Sequence, residues 1–158
     1  MLRVLIALSL AAGSWAALST GRAEPVRATV APKTVMQVYK SPTCGCCKSW
    51  VQKMEAAGFE VRVTDLAEDA LQAEKAKRGV GDDLKSCHTA IVNGYVVEGH
   101  VPVEDINRLI AEKPAIAGIA APGMPRGSPG MEMPNGTKDA YNVVAFTKAG
   151  KTTVFARH

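Results

Sequence analysis

Aromatic residues make up only 5% of this 158-residue chain, while Gly and Pro number 14 and 9. Such a balance argues for a compact domain with long loops. No cluster of basic residues stands out, which removes support for nucleic-acid binding. No internal repeat is present. Only one apolar run is long: residues 4–18, interrupted by Ser9, Gly13 and Ser14. Its 15 residues fall short of the roughly 20 that cross a bilayer. No second run approaches that length, so no membrane span is expected after the first is removed. Paired arginines, the mark of export in a prefolded state, are missing too.

What is there begins with that run. A single positive charge at Arg3 precedes it, and small residues surround Arg22 in Gly21-Arg22-Ala23. This is the pattern of a signal peptide spanning 1–23, with cleavage after Ala23. Two of the 19 basic residues and none of the acids lie in it, so the remaining chain carries a formal charge of +2. A flexible lead-in over 24–33 and one domain over 34–158 complete the expected organisation.

Secondary structure follows from periodicity and punctuation. Residues 34–40 read as a buried strand. A helix is expected over 46–57, with Trp50, Val51 and Met54 on one face and Gly58 as its stop. Phe59, Val61 and Val63 alternate with polar residues in a strand with one wet face. Asp65 with Glu68 forms a capping box for a second helix that ends at Gly79. Asn93-Gly94 separates two β-rich runs, residues 89–92 and 95–100, as a hairpin. Pro102 opens a third helix with Ile106, Leu109 and Ile110 inward, and Pro114 closes it. Residues 115–138 read as a long Gly/Pro/Met-rich loop, of the kind that is usually functional or mobile. A closing hairpin joins 141–147 to 152–156, and His158 is expected to be disordered. The fold class is α/β. The order β-α-β-α-β-β-α is that of a thioredoxin-like core, extended by the long loop and a C-terminal β-hairpin.

Cysteine carries the chemistry. Export leads to an oxidising compartment, where four cysteines usually form disulfides. Three of these four, however, crowd into Cys44-Gly45-Cys46-Cys47. Adjacent cysteines rarely bridge each other, because a disulfide demands a specific geometry. The cluster opens a helix, where the dipole and free N–H groups favour thiolate, as do Lys40 and Lys48 nearby. Cys44 and Cys47 form the C-x-x-C of redox thioredoxins, but Cys46 inside it would compete with clean exchange. Three thiols suit a soft metal better: copper(I), bridged by sulfur and present as more than one ion. Zinc, held tetrahedrally, is the alternative. Cys87 and His88 precede the third strand, which a thioredoxin-type order lays against the cluster. Met124, Met131 and Met133 offer thioethers in the loop. His100, between strand and helix, is a lesser candidate, and Trp50 reads as core.

These stretches resemble a known family. Residues 39–47, Ser86-Cys87-His88-Thr89-Ala90, residues 97–102, Pro122-Gly123-Met124-Pro125 and residues 127–132 are similar to the CopG-type periplasmic copper-resistance proteins. The resemblance covers about 35–155. It implies a thioredoxin-like fold, a periplasmic setting, copper at Cys44, Cys46, Cys47 and Cys87, and a role in copper tolerance. Its implied partners are copper ions and other periplasmic copper-handling proteins. A copper oxidoreductase is one form this role takes. A thiol–disulfide oxidoreductase using Cys44 and Cys47 is the rival, and a zinc-stapled module the second.

Overall fold

A computed structural model describes residues 33–158. The signal peptide expected over 1–23 and nearly all of the expected lead-in lie outside the described residues. Among those described, no helix is long and apolar enough to cross a membrane.

Strand β1 (Val35–Lys40) lies one place in from the sheet edge, with Met36 and Val38 fully buried. Helix α1 (Gly45–Ala56) turns Cys47, Trp50, Val51 and Met54 into the core. Its end is set by Gly58 at φ 98°. The Gly58 N–H donates to Glu55 O and the Phe59 N–H to Met54 O, the paired bonds of a Schellman stop. Phe59 then packs in the same core as Met54.

Strand β2 (Glu60–Asp65) pairs parallel to β1. The expected single wet face is wrong in part: Val63 is exposed, because β2 is the edge strand of the sheet. The expected capping box is also replaced. Asp65 is the last residue of β2, and its carboxylate takes a 2.5 Å ion pair with Lys40. Lys40 is nearly buried, so its ammonium claims the nearest acid. Helix α2 (Glu68–Lys77) starts instead after Ala67, with no side-chain cap.

Strands β3 (His88–Val92) and β4 (Tyr95–Gly99) form the expected hairpin. Asn93 and Gly94 both take positive φ, 47° and 84°, as a two-residue turn of matching twist requires. Helix α3 (Val103–Glu112) buries Asp105, Ile106 and Leu109, and Lys113 ends it in the left-handed region just before Pro114. The four strands run in the order β2-β1-β3-β4, with β3 antiparallel to both neighbours. That is the thioredoxin-like core.

The loop expected over 115–138 begins instead with a fourth buried pairing. Strand β5 (Gly118–Ala121) lies parallel to β4 and is wholly buried. Its sequence, Gly-Ile-Ala-Ala, carries one β-branched residue, so β propensity does not announce it. Close approach explains the glycine: a Cβ at Gly118 would lie 2.1 Å from Val96 O. Strands β6 (Asn142–Phe146) and β7 (Thr152–Arg157) continue the sheet to seven strands. His158 is held rather than loose. Its backbone exchanges two hydrogen bonds with Tyr141, and its Nε2 lies 2.8 Å from Asp105 Oδ2.

Candidate metal centre

The end of β1 delivers the chain to the site. Cys44 is the N-cap of α1, and its sulfur accepts the Cys47 N–H at 3.3 Å. A cysteine thus fills the capping place usually held by Ser, Asp or Asn. Cys44 and Cys47, with Cα atoms 5.3 Å apart, are joined as a disulfide, while Cys46 and Cys87 are free. Cys46 stands between the disulfide and Cys87. Its Sγ is 3.5 Å from Cys44 Sγ and 3.8 Å from Cys87 Sγ.

Sheet topology brings in the second half. The residue pair Lys40 and His88 faces across the β1–β3 ladder, so the start of β3 lies beside the end of β1. Cys87 is thereby set against the opening of α1, 41 residues away from Cys46. The four cysteine sulfurs all lie within 4.8 Å of one another. A second group, Cys87, His88 and His100, meets the same limit.

His100 arrives from the end of β4. Gly99 before it has φ 74°, and a Cβ there would fall 2.4 Å from the Ser86 Cβ and 2.7 Å from Ala121 O. Only glycine permits that turn. Both imidazoles are fully buried. His100 Nδ1 lies 2.9 Å from Pro129 O, which can only accept, so Nδ1 carries the proton. Nε2 then offers its lone pair to Cys87 Sγ at 3.0 Å. His88 Nδ1 lies 3.4 Å from the same sulfur, and its Nε2 has no hydrogen-bond partner. The His88 ring packs 4.5 Å from the Trp50 ring, whose N–H donates to Val101 O. Trp50 is core, as its sequence context indicated.

Burial sets the protonation states. It pushes the Cys87 thiol up to about 12, with the neighbouring Cys46 adding to the effect. Cys87 lies off the helix terminus, so the dipole expected to favour thiolate in the Cys44–Cys47 run does not offset its burial. Lys40, expected to assist, is committed to Asp65. Burial also lowers His88 far below its usual value, helped by His100, and lowers His100. Both rings are neutral, the form that binds metals.

This has a consequence for stability. A neutral buried ring binds fewer protons than the unfolded chain at pH below about 6.5. Stability should be at its full value above that pH and fall as acid is added. Each ring costs up to about 1.4 kcal/mol per pH unit while it stays neutral. Urea unfolding of the metal-free protein at pH 7.5 and 5.0 measures this. His100→Gln should flatten the decline, and an unchanged slope in that variant would contradict the assignment.

The loop over 122–133 closes on the site from one side. The Gly123 N–H donates to Lys85 O at 3.0 Å, and the Ser86 hydroxyl donates to Gly123 O. Pro129 holds His100, and Gly130 sits so close to α1 that a Cβ would lie 2.8 Å from Cys46 O. Glu132 completes the seam with a 2.9 Å ion pair to Lys53. Of the loop methionines, Met124 and Met133 are exposed and Met131 is half-buried.

Beneath Cys87 lies a feature that pattern reading missed. Lys75 and Glu98, both fully buried, pair at 2.6 Å. Glu98 also accepts the Ser86 N–H at 2.7 Å and the Thr89 hydroxyl at 2.6 Å. The carboxylate thus braces the backbone on both sides of Cys87 and His88. The available signal was a charged residue inside the apolar run of β4.

Fold and site together define a thioredoxin-like protein whose cysteines and histidines form a metal-competent cluster. Two solved structures are similar to it over nearly their whole length. A copper resistance protein copG in form 1 is 42% identical, covers 80% of this chain and 98% of its own, and superposes with a TM-score of 0.74. Form 2 is also 42% identical, covering 80% of this chain and 99% of its own at 0.73. The chain belongs to the CopG family of copper resistance proteins. A family model described as protein of unknown function, DUF411, matches residues 84–131, from just before Cys87 to Met131. No curated protein sequence matches the chain.

Proposed function

We propose that this is a periplasmic copper-binding protein that serves copper tolerance through a copper(I)–thiolate cluster. A copper-related, metal-binding role is supported by its copper-resistance relatives and by the cysteine cluster. The observation that carries the finer reading is the approach of four sulfurs within 4.8 Å. Cys44, Cys46, Cys47 and Cys87 are the ligands. His88 adds a nitrogen, with His100, Met124 and Met131 as further contacts. A dithiol reductant, itself oxidised to a disulfide, must first supply the two electrons and two protons that convert the Cys44–Cys47 bond into two thiols before all four sulfurs can serve.

More than one ion is bound. Four thiolates around a single monovalent ion would leave a charge of −3, which a partly buried site tolerates poorly. Further copper(I) ions neutralise it and let sulfurs bridge. Titration of the reduced protein with copper(I) against a competitor probe should end at about two equivalents or more. Cys46→Ala should lose equivalents rather than affinity alone. A one-to-one endpoint that Cys46→Ala leaves untouched contradicts the cluster. Zinc in place of copper after anaerobic purification would favour the stapled module. A bound copper that changes oxidation state would make the protein a copper oxidoreductase.

The Cys44–Cys47 bond favours a second reading, a thiol–disulfide oxidoreductase. Cys46→Ala separates the two, since exchange should survive it. Export is part of the main reading. Intact mass of the periplasmic protein should lack residues 1–23, and a mass that includes them would refute cleavage after Ala23.

A further inference from the structure

Three donors at this site do not depend on the Cys44–Cys47 pair. Cys87 and His88 come from the start of β3, and His100 from the end of β4. Their ligand atoms lie within 4.8 Å of one another, with Cys87 Sγ 3.0 Å from His100 Nε2 and 3.4 Å from His88 Nδ1. We infer that Cys87, His88 and His100 form a separable site that takes one divalent ion of borderline softness while Cys44 and Cys47 are joined. The inference rests on the metal-binding reading of the same centre and adds a second state to it.

Each donor is built for this. The proton on His100 Nδ1 is fixed by Pro129 O, which directs the Nε2 lone pair towards Cys87. A hydrogen bond of that kind, on the far nitrogen, is how metal-ligating histidines are usually oriented. His88 is fully buried, and its Nε2 is the one buried side-chain polar atom among the described residues with no partner. A buried polar atom left so is costly, and the ring is held in place by packing against Trp50 and His100, with Nδ1 facing the Cys87 sulfur. The Glu98 brace to Ser86 and Thr89 holds the two residues between them.

Donor chemistry separates the two states. Thiolates alone select copper(I), whereas imidazoles suit zinc, copper(II) and similar divalent ions. Closing the Cys44–Cys47 bond withdraws two soft donors and leaves two free thiols, of which Cys87 lies with the two imidazole nitrogens and Cys46 stands 3.8 Å to its side. Three protein ligands with a fourth position open to water make a complete site for such an ion. Binding transfers no electrons: the Cys87 S–H loses its proton to solvent and the sulfur bonds to the metal. Oxidation of the pair therefore changes the preference of the centre from monovalent to divalent metal.

Cobalt(II) is the probe, because thiols do not reduce it and its colour reports its ligands. The chain lacking residues 1–23 is kept in its disulfide form without oxygen and titrated with cobalt(II), then with zinc(II). One equivalent should bind, with a sulfur-to-cobalt charge-transfer band that zinc abolishes. Cys87→Ser should lose the band, and His100→Gln, which removes a ligand, should weaken binding by more than the roughly 10–100-fold that follows loss of a ligand's supporting partner. X-ray absorption of the zinc-loaded wild type needs no variant, and should give sulfur together with imidazole nitrogen. A shell lacking either, no binding to the disulfide form, or a band that survives Cys87→Ser would overturn the inference. Copper(I) titration of the reduced chain fails or succeeds independently, so a failed cluster and a failed divalent site are told apart.

Discussion

Glu98→Ala should cost about 3–5 kcal/mol, a large share of the 5–15 kcal/mol that holds an ordinary domain together. The loss comes mostly from what is left behind. The Lys75 ammonium, fully buried, would keep only its 3.0 Å bond to Thr89 Oγ1. The Ser86 N–H would lose its acceptor as well. Removing both charges should be far milder, because a buried ion pair replaced by apolar groups is often close to neutral. Lys75→Met with Glu98→Leu should therefore recover most of the stability, less about 1–3 kcal/mol for the unpaired Ser86 and Thr89 groups. Urea midpoints of the single and double variants provide the comparison. A loss below about 1 kcal/mol in Glu98→Ala would mean that the pair is not what holds β3 in place. Alkylation of Cys87 should also quicken in both variants, since both remove the brace beside it.

Trp50→Ala should be similarly damaging, at about 3–5 kcal/mol, the range for truncating a buried aromatic residue. Trp50 is fully buried, donates its N–H to Val101 O at 2.9 Å, and packs against His88. It therefore joins the hydrophobic core to the metal centre. Trp50→Phe separates the two contributions. It keeps most of the contact area but leaves Val101 O without its partner, a cost of about 1–3 kcal/mol. Denaturant unfolding measures both, and equal losses in the two variants would show that the hydrogen bond, not the ring volume, dominates.

Much of this arrangement is legible in the residues. Gly58, Asn93-Gly94 and Pro114 mark their turns and stops because positive φ and a missing N–H are local demands that few residues meet. The C-x-C-C run announces its chemistry by crowding alone. Other features are hidden for identifiable reasons. Strand β5 has too few β-branched residues to be seen, and is a strand because β4 and β6 lie on either side of it. Asp65 satisfies the rule for a helix cap, yet the buried charge of Lys40, on a neighbouring strand, competes for it and wins. Glu98 looks out of place in an apolar run until Lys75, 23 residues away, is brought beside it.

By itself, the sequence determined most local elements of this protein, β5 excepted, and the identity of its reactive groups, since these depend on neighbours within a few residues. Tertiary structure alone decided which of those groups meet. The 3.0 Å approach of His100 to Cys87 and the 3.8 Å approach of Cys46 to Cys87 require strand order, an antiparallel register and a glycine turn to act together. Protonation was decided there as well. An isolated thiol or imidazole titrates near its ordinary value; burial, reinforced by Cys46 at the one and His100 at the other, pushes Cys87 up and His88 down.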